Sequence, residues 1–224
     1  MRAGSVAVLA VLLSVRCAAA QDISVSGDIA VLSDYVDRGL SLSAEDPSAS
    51  GALYLDHASG LYGGLVLSRV GAPSGNDLEL EGVAGWRTRV MDAYDLDLSV
   101  SFDSFHGDDS FGYTEIGARL ARDLGLVFVA AGVSYAPDGR WFRRNLDTVY
   151  SYLEADVPIP DIPWLTATGH VGWEIFSGAE NKADWGVGLA AGWRDFELSV
   201  GYEDSDSDVD FGNARVVGAL RYYF

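Results

Sequence analysis

The 224-residue chain carries 33 acidic and 15 basic side chains, a formal charge of -18, which argues against a nucleic-acid partner and for cationic or neutral solutes. Its 26 glycines, 11 tyrosines and 6 tryptophans against 2 methionines are unlike a helical protein and point to strands and turns.

Residues 1–20 read as a cleaved secretory signal peptide. Arg2 supplies a basic start, Ser5 to Val15 an apolar run, and Ala18 to Ala20 a small-residue cleavage site before Gln21. The run is too short for a spanning helix, which needs about 20 apolar residues. Arg16, directly before Cys17, is unlike a lipid-attachment signal, where that position is small. Cleavage at Ala20 leaves one domain, 21–224, with no cysteine for a disulfide or thiol site, and removes two arginines, so the mature chain is more acidic still.

From Ile23 onward the hydrophobic period is two. In "YDLDLSVSF", Tyr94, Leu96, Leu98, Val100 and Phe102 alternate with Asp95, Asp97, Ser99, Ser101 and Asp103. Such alternation predicts strands over Ile23–Tyr35, Ala49–Ala58, Leu61–Val70, Leu78–Arg87, Tyr94–Phe105 and Phe111–Arg122. It continues over Leu126–Ala136, Asp147–Val157, Trp164–Phe176, Ala183–Trp193, Phe196–Glu203 and Asn213–Phe224. About twelve strands of about ten residues match the length that crosses a bilayer when tilted.

The connections alternate between tight turns, such as Ser59-Gly60 and Arg194-Asp195, and longer polar stretches, such as "DRGLSLSAEDPS", "PDGRWFRRN" and "DSDSDVDFGN". Short turns at one end and long loops at the other are the layout of an all-β, antiparallel up-and-down barrel in a bacterial outer membrane, with both termini periplasmic. The chain ends on aromatics. Tyr222, Leu220, Gly218 and Val216 share one face, and the terminal Phe224 with Tyr222 is similar to the signal by which outer-membrane barrels are recognised by the assembly machinery and inserted among lipid.

The opposite faces are acidic. Glu79, Glu81, Asp95, Asp97, Asp103, Glu115, Glu154 and Glu174 are candidate pore-lining carboxylates, with Arg119 and Arg221 among the few cations on the same faces. A wet interior of this kind would concentrate cations, whereas a filled one would pair the same groups in hydrogen-bonded networks. In "PDGRWFRRN", Arg140, Arg143 and Arg144 are the candidates to draw a loop inward against those carboxylates.

One segment carries a more specific pattern. Between Val31 and Val70 the residues Ser33, Asp34, Tyr35, Arg38, Gly39, Ser41, Pro47, Gly51, Tyr54, His57, Ser59, Gly60, Tyr62, Gly64 and Ser68 resemble the opening of the TorF porin family. That resemblance implies an outer-membrane channel and adds little about its solute. Val66 and Arg69 depart from the family pattern. Read from the residues alone, Arg38 can pair with Asp34 or Asp37, while Gly39 and Gly60 serve turns, so fold maintenance accounts for the motif as well as solute binding does.

The rest of the chain offers few groups for catalysis or metal binding. His57, His106 and His170 are scattered and give no metal-ligand spacing, and no cofactor motif occurs. Asp204, Asp206 and Asp208 lack the glycine and glutamate of a calcium loop, since Val209 and Arg215 stand in those places. His57 and Ser59, at i and i+2, form the one candidate for an outer-membrane lipid hydrolase, though both are predicted at a periplasmic turn. The expectation is therefore a non-enzymatic channel for small solutes, with a plugged structural or adhesive barrel and the hydrolase as alternatives.

Overall fold

The computed structural model describes residues 22–71, 76–107, 110–141 and 143–224, so the signal peptide expected at 1–20 lies outside the described residues, as does most of the "GAPS" stretch. Twelve strands close into one barrel. They are β1 (Ile23–Leu32), β2 (Ser48–His57), β3 (Leu61–Arg69), β4 (Asn76–Val90), β5 (Tyr94–Gly107) and β6 (Phe111–Asp123). The second half is β7 (Phe128–Ala136), β8 (Thr148–Pro158), β9 (Leu165–Phe176), β10 (Lys182–Trp193), β11 (Phe196–Ser205) and β12 (Arg215–Tyr223). Each strand pairs antiparallel with its sequence neighbours, and β12 returns to β1, with Asp28 opposite Tyr223 and Leu32 opposite Ala219. There is no helix among the described residues.

Alternation decides which way the barrel faces. Val25, Ile29 and Val31 of β1, Leu98, Val100 and Phe102 of β5, and Val216 and Leu220 of β12 all point outward and are 42% to 69% exposed. In water each such side chain would forgo about 1.5–3 kcal/mol of burial, so this exterior is suited to lipid. Aromatic residues band it at both ends: Trp86, Trp164, Trp193 and Phe196 near the chain termini, Tyr135, Trp173 and Trp185 at the other end.

Closure uses the last residue. Phe224 and Gly27 exchange backbone hydrogen bonds, each 3.0 Å. The Phe224 ring lies over Gly27, where an added Cβ would come within 2.6 Å of it. Tyr222 and Phe224 stack at 6.3 Å, and Tyr222 meets Phe196 at 4.9 Å, so the terminal aromatics join a belt on the outer surface.

Tight turns occupy the end that carries the termini, here the terminal end; the long connections occupy the loop end. The first strand stops at Leu32 rather than Tyr35. The chain leaves the wall there because Asp34 is drawn inward, accepting hydrogen bonds from Ser41 Oγ (2.5 Å) and Ser43 Oγ (2.8 Å) and pairing with Arg215 (2.9 Å). Two loops carry short hairpins, Val36–Asp37 against Leu40–Ser41 and Gly139–Arg140 against Arg143–Arg144. At the loop end Leu42, Val70 and Phe105 form a small apolar core, joined by Tyr35, Phe111, Tyr113 and Trp141. That core sets residues from both hairpin loops against the strand wall. Trp141, from the second hairpin, packs its ring against this core.

Candidate functional site

The inward positions of the strands hold Glu79, Glu81, Asp95, Asp97, Asp103, Glu115, Arg119, Glu154, Glu174 and Arg221, opposite in phase to the exposed apolar set. Interior tyrosines lie flat across glycines of neighbouring strands. An added Cβ at Gly64 would strike Tyr54, at Gly85 Tyr62, at Gly132 Tyr152 and at Gly172 Tyr150, each within 2.6 Å. The missing side chains make room for the rings, so these tyrosines coat the wall instead of crossing the lumen.

Near the loop end the lumen is crossed by arginines from the two hairpins. Arg38 and Gly39 are the turn of the first, with φ of 50° and 75°, the pair of left-handed residues that a tight hairpin requires. An arginine in this conformation is uncommon, and here it is held by its contacts. Arg38 Nη2 donates to both oxygens of Glu115 (2.7 and 2.9 Å) and to Ser134 Oγ (3.3 Å), and Nη1 donates to Glu174 (3.3 Å). Its guanidinium carbon lies 4.0 Å from the Tyr150 ring centroid.

From the second hairpin Arg140 reaches the same carboxylates. Its nitrogens lie 3.0 Å from Glu174 and 3.4 Å from Glu115, and Nη2 donates to Asp37 of the first hairpin at 2.5 Å. The two hairpins therefore interlock over the lumen. Lys182, at the start of β10, donates to the Arg38 carbonyl and lies 3.3 Å from Glu174 and 3.5 Å from Asp184. Glu174 and Asp184 are fully buried and Arg140 is 4% exposed.

Charges this deep are retained only because each has several opposite partners. Burial alone would raise the Asp37 carboxyl, but the Arg140 and Arg38 guanidiniums outweigh it and hold the group at about 2. Burial would likewise lower the Arg140 guanidinium; the Asp37, Tyr113, Glu174 and Glu115 groups reverse that and keep it charged. Tyr35 is pushed well above its ordinary value by burial and by the neighbouring Glu79, so its hydroxyl stays protonated.

Several expectations are corrected by this geometry. Arg38 pairs with neither Asp34 nor Asp37: Asp34 goes to Arg215 and Asp37 to Arg140, while Arg38 takes partners in the wall strands β6 and β9. The lumen is less one-sidedly acidic than its strands imply, because the loops add Arg38 and Arg140 and β10 adds Lys182. Of the three loop candidates it is Arg140 that enters this network, whereas the Arg144 and Arg143 guanidiniums lie over the Phe111 and Phe176 rings at 3.7 and 5.9 Å.

Toward the terminal end the carboxylates pair locally. Asp97 meets Arg87 (2.7 Å) and the Tyr62 hydroxyl (2.7 Å), Asp95 meets Arg89 (3.1 Å), and Glu154 meets Arg119 (3.0 Å). Asp28 pairs with Arg221 across the β1–β12 seam. Glu79, Glu81 and Asp103 enter no ion pair among the described residues. Open space remains on both sides of Arg38: about 280 Å³ bordered by Tyr62, Asp97, Glu115 and Arg119, and about 240 Å³ bordered by Tyr150, Tyr152, Glu154 and His170.

The remaining motif residues serve the frame. Ser33 bonds Gly218 through both its backbone and its hydroxyl (2.8 Å each), extending the β1–β12 seam. Gly39 packs against Asp184, Asp204 and Ser205 closely enough that a Cβ would lie 2.8 to 3.0 Å from them. Gly60 has φ of 90° in the β2–β3 turn. His57 Nδ1 does lie 2.8 Å from Ser59 Oγ, but the Ser59 backbone N–H donates to the same nitrogen (3.1 Å), and the pair sits exposed at the terminal end. No partner orients the other face of the imidazole among the described residues, so the base lacks the third group a triad requires. No group of three metal-ligating side chains converges among the described residues either.

A closed twelve-stranded antiparallel barrel with an apolar exterior and a charged interior is a barrel of the porin type. The KdgM porin superposes with a TM-score of 0.59 at 14% identity, covering 89% of this chain and 99% of that one. The NanC porin gives 0.59 at 7% identity over 88% and 98% of the two chains. OccK3 (OpdO) of Pseudomonas aeruginosa gives 0.50 at 14% identity over 92% of this chain and 66% of its own. At such identities the likeness defines the fold. By sequence, the chain belongs to the family described as bacterial protein of unknown function (Gcw_chp), whose profile matches residues 16–221. No curated protein matches it.

Proposed function

We propose that this protein is an outer-membrane channel for passive diffusion of small cationic or neutral solutes, narrowed at its extracellular end by two inward-folded hairpins. The observation that carries the proposal is a closed barrel of bilayer-crossing strands whose interior is charged and retains space around Arg38. In this reading residues 1–20 are the cleaved signal peptide, the terminal end is periplasmic, and Tyr222 and Phe224 are what the assembly machinery recognises. The resemblance of residues 31–70 to the TorF porins supports the same class, and so does the fold shared with KdgM and NanC.

The solute preference follows from charge. Among the described residues the partly exposed inward carboxyls of Glu81, Asp156 and Glu197 enter no ion pair, so they leave a negative surplus along the lumen wall. KdgM has been solved in complex with disordered oligogalacturonate, an oligomer of a sugar acid. A lumen with surplus carboxylates is poorly suited to such an anion, and we place this channel's solutes on the cationic and neutral side.

The test is planar-bilayer recording of the refolded mature protein in a salt gradient. Discrete steps with a cation-directed reversal potential are expected, and replacing Glu81, Asp156 and Glu197 by their amides should move that potential toward zero. The Asp37–Arg140 bridge across the lumen favours a second reading, a plugged structural or adhesive barrel; a correctly folded but silent protein would establish it.

A further inference from the structure

The place Arg140 occupies is a formed binding site with a known occupant. Asp37 Oδ2 lies 2.5 Å from Nη2, Glu174 Oε1 3.0 Å from Nη1 and Glu115 Oε2 3.4 Å from Nε. The guanidinium carbon sits 5.5 Å from the Tyr113 ring centroid. Carboxylates spread around the edge of the group and an aromatic ring near it suit a planar, delocalised cation with donors on several sides. A compact ammonium could not engage them together. Nε is buried without a hydrogen-bond partner, so the fit of the loop's own arginine is incomplete.

The seat and its occupant differ in how they are anchored. Glu115 and Glu174 belong to wall strands, and Asp37 to a hairpin tied by backbone bonds to neighbouring loops, with Ser41 N–H donating to Phe211 O (3.0 Å) and Gly71 N–H donating to Leu42 O just after the hairpin (2.9 Å). Arg140 arrives on a separate hairpin whose described contacts with the wall are made by side chains.

We propose that the Asp37–Glu115–Glu174 seat is a guanidinium-recognition site on the transport route, and that Arg140 is a tethered arm that competes for it and narrows the loop end while seated. When the arm leaves, a solute bearing a guanidinium takes the vacated seat. This deepens, and rests on, the channel reading given above.

The experiment compares the full mature protein with its Arg140→Ala variant, using methylguanidinium as the probe and methylammonium as the control. In bilayers the variant is expected to pass larger currents than wild type. Methylguanidinium added on the loop side should block it at a concentration on the order of tenfold lower than methylammonium, the discrimination worth about 1.4 kcal/mol, while wild type is insensitive. Calorimetric titration of the detergent-refolded variant reads the seat independently of current. Binding without conductance in either protein would sink the channel reading and leave the site standing. Conductance without preferential methylguanidinium binding, or equal block by the two cations, would overturn the site. If Arg140→Ala does not refold, Arg140→Gln, which removes the charge but keeps the methylene stem and a polar end, takes its place, and the same outcomes apply to it.

Discussion

Two hairpins reach into one lumen and share one pair of carboxylates, yet they are held differently. The 36–41 hairpin is bound through its backbone to Phe211, while residues on either side of it bond one another and Gly71, and its turn carries Arg38 in a left-handed conformation. The 139–144 hairpin is held by Arg140 in the ion network, Trp141 in the apolar core and Arg144 over Phe111. Backbone bonds to neighbours fix a segment as part of the wall, whereas side-chain contacts can be exchanged for a solute of the same chemistry. In the proposal above the first hairpin is part of the frame, and Arg140 on the second is the exchangeable occupant.

The largest effect should come from the carboxylate both arms share. Glu174→Gln leaves Arg38, Arg140 and Lys182 short of their common partner, and uncompensated buried charge costs about 3–5 kcal/mol. Urea unfolding of the refolded barrel should show that loss. Limited trypsin digestion from the loop side should then cut at Arg140, Arg143 and Arg144 well before Arg38; equal cleavage at both hairpins would remove the distinction drawn between them.

Gly39→Ala attacks the fixed hairpin alone. The residue has φ of 75°, and a Cβ would press on Ser205, Asp204 and Asp184 at 2.8 to 3.0 Å. A loss of about 1–3 kcal/mol is expected, with the 139–144 hairpin unaffected in its trypsin sensitivity.

The smallest effect is one of pH. Asp37 is held at about 2, below its ordinary 3.8, so its pairing with Arg140 contributes fully above the ordinary value and is lost as pH falls through about 2. Channel steps should grow as pH is lowered from about 4 to about 2, a window set by those two values, and should not grow in Asp37→Asn, where the link is already broken.

Much of this architecture was legible in the chain. Strict alternation in segments such as Tyr94 to Asp103 named the inward carboxylates, because period two leaves each residue only one of two faces. Of the arginines in "PDGRWFRRN", Arg140 lies against Glu115 and Glu174, and nothing in that run distinguishes it from Arg143 or Arg144. What could not be read was pairing at long range: Arg38 meets Glu115 across 77 residues and Glu174 across 136, and nothing local specifies either partner. The nearest sequence signal was Arg38-Gly39 itself, a turn pair between short apolar flanks, which marks a hairpin without saying where its tip points. The first strand was overextended for a related reason, since Asp34 and Tyr35 continue the alternation and leave the wall only because Ser41, Ser43 and Arg215 converge on Asp34.

Single-channel conductance with the 139–144 segment replaced by a tight turn tests the proposed pore and its releasable arm together. Steps larger than those of the full chain, with cation preference retained, are the predicted result. Equal steps in the two proteins would contradict the arm, and silence in both would contradict the pore.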